Sequence, residues 1–233
     1  MIPISQRGRR AAIAMAAMVC VAPMALTMTG RQAAQAQTAP ASAPTVDPSL
    51  REAGTYSIDK PHSNISFTVV HMGITKVHGR FDDFDGKVTL DDKKVENSTV
   101  EFTIQVASID TNSVQRDTHL KTDAFFDAAK MPEITFKSTR VNKRRKGYAA
   151  VGTLTMHGVS HEIVLPFTVT PLTKGAEGGL HIGVETSIEL KRSDYGMNGF
   201  PGMVGDEIPV TIELDLLKDG SVPAAPAGAP PAK

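Results

Sequence analysis

The 233 residues carry 25 basic and 25 acidic side chains, so the formal net charge is zero. With no tryptophan and no Lys/Arg run interleaved with aromatics, the chain offers no basic face for nucleic acid. Its one cysteine, Cys20, lies near the N-terminus, so the remainder has no disulfide, thiolate ligand or cysteine nucleophile.

Residues 1–36 read as a secretory signal peptide. Arg7, Arg9 and Arg10 precede an apolar run at 11–28, and Ala34-Gln35-Ala36 supplies small residues for cleavage after Ala36. A retained membrane anchor is the alternative, but an Ala-rich segment is weakly hydrophobic for a stable span. Arg9-Arg10 is compatible with twin-arginine export as well as the general route. Val19 stands where a lipoprotein site needs a small residue, which argues against lipidation at Cys20. Residues 37–53 read as a flexible linker and 219–233 as a Pro/Ala-rich disordered tail, because neither buries enough apolar surface to offset ordering entropy.

Between these ends the pattern is that of strands. Residues 54–59 form a short strand, and Lys60-Pro61-His62 turns the chain. Ile65, Phe67, Val69 and His71 then share one face, followed by Val77, Gly79 and Phe81. Asp82-Asp83 breaks parity, which reads as a β-bulge, before Phe84, Gly86, Val88 and Leu90 restore the apolar face. Val100, Phe102, Ile104 and Val106 alternate next. Asp110-Thr111-Asn112-Ser113 is expected to satisfy turn and helix-start amides, and residues 114–121 to form a short helix. Asp123 is expected to cap a second short helical turn carrying Phe125-Phe126, which Met131-Pro132 ends.

Strands follow at 134–141 and 148–156, joined by the basic turn 142–147. A tight turn at 157–160 leads to Ile163, Leu165, Phe167 and Val169 in phase. Ile182, Val184, Thr186, Ile188 and Leu190 give the cleanest alternation, and Ile208 to Leu216 close the series after a glycine-rich loop at 193–205. Eight or nine short strands, each with one apolar and one wet face, predict an all-β domain at 54–218. The expected form is an antiparallel up-and-down barrel of about eight strands with one helical crossover.

The run SIDT…RDTHL…FFD…MPEITFKS within 106–138 resembles the signature of the YceI-like family. FTVVHMGITKVHGRFDDFDG at 67–86, GTLTMHGVSHEIVLPF at 152–167 and KRSDYGMN at 191–198 resemble its other segments, in the family's order. The resemblance covers about 54–218. It implies a lipocalin-like barrel, a bacterial periplasmic location and a long polyprenyl or similar lipid in the barrel. Some members are linked to isoprenoid quinones or fatty amides.

Two readings of the inner face stay open on pattern alone: a filled core, or a cavity. Gly79, Gly86, Ala150, Gly152 and Thr186 lie in phase with the large apolar groups and are expected to leave room beside them. The crossover with Phe125-Phe126 is placed to lie over one mouth. The expected ligand lining is Phe67, Val69, His71, Phe81, Phe102, Ile104, Phe125, Phe126, Phe136, Leu154, Phe167 and Ile188, with His71 meeting the terminal group. The expected partner is an apolar long-chain lipid, which the resemblance implies is a polyisoprenoid, an isoprenoid quinone or similar. Transient contact with a membrane or membrane protein, and a homodimer, are compatible with this reading. The alternative is a filled-barrel periplasmic interaction or stress protein without lipid.

No catalytic or metal site and no cofactor are expected. Gly158-Val159-Ser160-His161-Glu162 lacks the last glycine of a nucleophile elbow. His161-Glu162 has Leu165 where a zinc helix needs its second histidine. Asp83-Phe84-Asp85-Gly86 lacks the later ligands of a calcium loop. The seven histidines are scattered, although turns could pair His71 with His78 or His157 with His161. Asp110, Arg116, Asp117 and His119 are expected to hold the crossover by hydrogen bonds and ion pairs.

Overall fold

The computed structural model describes residues 52–221. The expected signal peptide, and most of the expected linker and tail, lie outside these residues.

In chain order the elements are β1 (Gly54–Ile58), a 3-10 turn (Lys60–His62), β2 (Asn64–His71), β3 (Thr75–Phe81), β4 (Phe84–Leu90), β5 (Thr99–Gln105) and β6 (Ile109–Asp110). Helix α1 (Val114–Leu120), β7 (Glu133–Lys143), β8 (Tyr148–Met156), β9 (Val159–Val169), β10 (Thr173–Lys174), β11 (Leu180–Lys191) and β12 (Glu207–Lys218) follow. Every strand pairing is antiparallel, and the circuit β1-β4-β5-β7-β8-β9-β11-β12 returns to β1. It closes a barrel of eight strands. Such closure removes exposed sheet edges.

Three of the staves are long strands interrupted once. β1 and β2 both pair with β12, on either side of the Lys60–His62 turn. β4 pairs with β1 while β3 pairs with β2, so the Asp82-Asp83 break faces that turn. β5 and β6 continue the same pattern against β4 and β3. The break at Asp82-Asp83 is where parity predicted it, but three neighbouring strands bend there together.

Alternation puts Ile65, Ile104, Ile134, Phe136, Tyr148, Ala150, Leu154, Leu165 and Ile212 in one buried cluster. A second cluster of Tyr56, Leu172 and Leu216, with Val88, Leu90 and Ile182 against it, packs beside the connection from β9 to β10. Each large side chain fully buried in this way contributes about 1.5–3 kcal/mol. The β9–β11 seam has only the pairs Val184↔Val169 and Glu185↔Thr168. Pro166 has no N–H to give there, and the Thr186 hydroxyl instead donates to the Pro166 carbonyl at 2.5 Å.

The in-phase glycines do not leave the expected space. Gly79 stands directly opposite Phe67, whose ring occupies the volume of a missing Cβ, and Gly86 stands opposite Phe102. Gly152 meets the backbone of Lys137 and Ser138, next to a register shift between Ser138 and Arg140. Gly79 seats a ring, Gly86 is crowded by the Glu101 carbonyl, Ile58 and the Cβ of Phe102, and Gly152 seats a bulged strand. Gly152→Ala is therefore expected to destabilise the barrel by about 3 kcal/mol, the upper end for overpacking a site that cannot yield. A denaturant midpoint equal to that of the parent protein would contradict this.

The crossover also differs from expectation. Ser113 precedes α1 but makes no side-chain cap. Asp110 accepts from the Asn112 amide at 2.7 Å, and Asp117 accepts from the amide and hydroxyl of Thr111. Phe125 and Phe126 lie in turns, not on a helix. Their amides bond the carbonyls of Thr122 and Leu120, and Asp123 does not cap them.

Candidate functional site

The barrel interior is not filled. A cavity of about 370 Å³ is lined by residues of β2, β5, β8, β9, β11 and β12, together with α1, Phe125-Phe126 and the 197–204 loop. A second cavity of about 210 Å³ continues toward Leu172 and Tyr56. Ile65, Phe102, Leu165 and Ile212 line both and form a waist between them.

Ten of the twelve expected lining residues border the larger cavity: Phe67, Val69, His71, Phe81, Phe102, Ile104, Phe125, Phe126, Leu154 and Ile188. Phe102 also borders the smaller one, as does Phe167, which stacks on Tyr148 at 5.5 Å. Phe136 borders neither. It is buried behind Phe102, stacked at 5.3 Å between centroids, and supports that ring from the core. Period-two alternation put Phe136 on the inner face but could not say which inner residues stand behind others.

The larger cavity is capped by three segments. Phe126 meets Phe81 edge-on at 6.1 Å, and Phe81 in turn contacts Phe67 at 5.5 Å, tying the crossover to the barrel wall. Phe125 stacks on Phe200 at 5.6 Å, and His119 contacts both rings edge-on. The β2–β3 hairpin is zipped to the same loop, because the Met72 amide donates to Met203 O and the Gly205 amide donates to Val70 O. His71 bridges Val204. The 193–205 loop is thus a cap over the mouth.

Arg192 holds that cap. The residue is 8% exposed, and its guanidinium donates to the carbonyls of Gly205, Met197 and Val204 at 2.5–3.0 Å. His157 and His161 donate to the carbonyls of Tyr195 and Asp194 from the β8–β9 hairpin, each at 2.9 Å. The two-residue turn of that hairpin, His157-Gly158, has both residues at positive φ, which suits the twist of a tight hairpin. Asp206 accepts from the Ser193 hydroxyl and amide, and these bonds, followed by Arg192 and Lys191, hold its carboxyl below the usual carboxylate range.

A depressed carboxylate stabilises the fold above its ordinary titration range and loses that contribution as pH falls through the lowered value. The Ser193–Asp206 anchor is accordingly expected to persist at pH 5 and to release only in stronger acid. An NMR titration of the Asp206 carboxyl and the Ser193 amide checks this; release near pH 5 would contradict it.

Polar groups gather at the mouth. Arg116, His119, His71, Thr111 and Arg192 all border the cavity, whose remaining lining is overwhelmingly apolar. Arg116 is braced by bonds to the hydroxyl and carbonyl of Thr111 at 2.6–2.7 Å, which agrees with its expected loop-holding role. Arg192 escaped the sequence reading, because nothing local marks an arginine whose acceptors lie up to thirteen residues away. Ser160 shares a 2.8 Å hydrogen bond with Thr155 at the exposed hairpin, and His161 is engaged with Asp194. These two residues do not form a nucleophile–base pair.

A family model described as a YceI-like domain matches residues 56–216.

The chain belongs to the YceI-like family.

UPF0312 proteins of Yersinia pestis (strain Pestoides F) and Yersinia enterocolitica are each 34% identical over 165 residues, 70% of this chain and 86% of theirs. Among solved structures, the YCEI protein of Campylobacter jejuni is 32% identical with a TM-score of 0.58, over 73% of this chain and 99% of that one. Burkholderia cenocepacia BcnA superposes with a TM-score of 0.61 at 24% identity, over 68% of this chain and 98% of that one. A polyisoprenoid binding domain from Saccharophagus degradans gives 0.55 at 19% identity, over 72% and 99%. The last two establish likeness of fold. In this YceI-like barrel, no helix among the described residues is long and apolar enough to cross a membrane.

Proposed function

We propose that this YceI-like protein is a non-enzymatic periplasmic carrier that holds a long apolar lipid, a polyisoprenoid or isoprenoid quinone, inside its barrel. The observation that carries this reading is the apolar interior cavity of about 370 Å³, bordered by polar groups at its mouth and adjoined by a second cavity across the waist. The Saccharophagus degradans domain of the same fold is described as polyisoprenoid binding, which supports the same ligand class. Burying about 400 Å² of lipid surface would gain ~10 kcal/mol, from which the cost of ordering the chain is subtracted. The chain enters tail first, and its terminal group stays at the mouth beside His71, Arg116 and His119. A filled-barrel interaction protein fits this interior poorly.

The rim suits transient membrane contact during transfer. Met72 and Ile74 of the β2–β3 turn and Phe200 and Met203 of the cap are exposed apolar side chains on segments bonded to each other. Native mass spectrometry of protein purified without detergent, followed by organic extraction, tests the assignment. One prenyl or quinone chain per barrel supports it. A bare protein that also fails to take up polyprenyl lipid or quinone overturns it.

A further inference from the structure

The outer wall carries a second cluster, unrelated to the lumen. Asp59 and His62 flank the turn between β1 and β2, and Asp215 lies on the adjoining β12. Donor atoms of all three lie within 4.8 Å of one another. The Asp59 carboxylate meets His62 Nδ1 at 2.9 Å, and the Asp215 carboxylate meets His181 Nδ1 of β11 at 2.8 Å. Two imidazoles and two carboxylates from separate segments therefore converge on one patch.

The scaffold beneath them is hydrogen-bonded throughout. The Asp59 amide donates to Asp215 O at 2.8 Å, the Asp215 amide donates to Ser63 Oγ at 3.0 Å, and that hydroxyl donates to Asp59 O at 2.7 Å. Pro61 stiffens the turn. The backbone positions are thus set before anything binds, and only side-chain rotation remains.

The surrounding charge calls for a cation. His62, His181 and Asp215 line an outer groove with Glu185 and Glu213, and no Lys or Arg among the described residues borders it. Glu185 stands directly opposite Glu213 on β11 and β12, and like charges so placed repel. Lys60, the nearest basic residue in sequence, turns away to Asp83 and Asp85.

We propose that Asp59, His62 and Asp215 form a surface binding site for a divalent transition-metal ion, with His181 orienting Asp215. Mixed imidazole and carboxylate donors suit zinc and its neighbours better than magnesium or calcium, which prefer oxygen alone. Zinc–ligand bonds of about 2.1 Å place tetrahedral donors about 3.4 Å apart, which small rotations of these side chains supply. A carboxylate held by a neighbouring imidazole is the kind of outer support that fixes a ligand's direction. Water completes the coordination, because His62 is exposed. The site does not depend on what the barrel carries.

The test is calorimetric titration of the full untagged chain with Zn²⁺ at pH 7.5, alongside His62→Ala and Asp215→Asn. Both substitutions lie on the outer surface, and circular dichroism confirms that each variant is folded. The expected result is one zinc per chain in the micromolar range, weakened at least tenfold in each variant, with no heat from Mg²⁺. Absence of stoichiometric binding up to 1 mM zinc overturns the proposal. So does binding that the variants leave unchanged, which would place the metal elsewhere, and so does equal binding of Mg²⁺.

Discussion

Phe102→Asp is expected to weaken lipid uptake at least a hundredfold while far-ultraviolet circular dichroism still reports a β-rich fold. Phe102 is one of four residues that border both cavities, and its ring rests on Phe136 opposite Gly86. A carboxyl group at this waist either ionises beside the passing lipid or stays protonated at a raised pKa, and both states cost free energy. A hundredfold loss corresponds to about 2.7 kcal/mol, well within the penalty for an unpaired polar group in an apolar lumen.

Two companion substitutions separate loss of fold from loss of the path. Phe102→Ala removes the waist and costs about 3–5 kcal/mol of stability, yet leaves an apolar route and is expected to retain uptake. Ile188→Trp adds bulk to the wall of the larger cavity without polarity, and is expected to reduce uptake by occupying the space. Displacement of a fluorescent polyprenyl analogue reads all three. Undiminished binding by folded Phe102→Asp would remove the lumen from the assignment.

Arg192→Met is expected to lower stability by at least ~3 kcal/mol and to loosen the cap. Methionine keeps most of the apolar stem but none of the donors, so the carbonyls of Gly205, Met197 and Val204 lose their partners together. Each buried carbonyl left without a donor costs about 1–3 kcal/mol. For a domain of this size, 3 kcal/mol is a fall in Tm of roughly 6–12 °C. Arg192→Lys should recover little, since one ammonium cannot reach three acceptors arranged for a planar fork. Because Phe200, Met203 and Val204 border the cavity, the same substitution should speed lipid release. An unchanged Tm would show that the cap is held without Arg192, by the β2–β3 hairpin, the two histidine contacts, the Ser193–Asp206 bonds and the Phe125–Phe200 stack.

Strand positions were legible because side-chain alternation is a local property. Residues 148–156 were delimited at both ends, and His157-Gly158 marked its hairpin. Parity also located the break at Asp82-Asp83. The crossover was harder to read. Phe125-Phe126 had to be buried, but the turns that carry them are set by bonds to Leu120 and Thr122 and by packing against Phe81 and Phe200, not by helix propensity. The glycines misled for a related reason. Gly79 and Gly86 look like vacancies in a one-dimensional pattern, and only the folded barrel shows that the Phe67 ring fills the space beside the first while the Glu101 carbonyl and Ile58 crowd the second.

The sequence by itself determined a barrel of alternating strands, its family and ten of the residues that border the larger cavity, because period and turn chemistry act over a few neighbouring residues. Tertiary structure alone decided that the interior keeps two adjacent cavities and that Phe136 stands behind the wall. It also decided that Arg192 ties the cap and that Asp59, His62, His181 and Asp215 meet on the outer surface. Each of these depends on register between strands distant in the chain, where one step of slip reverses every side chain.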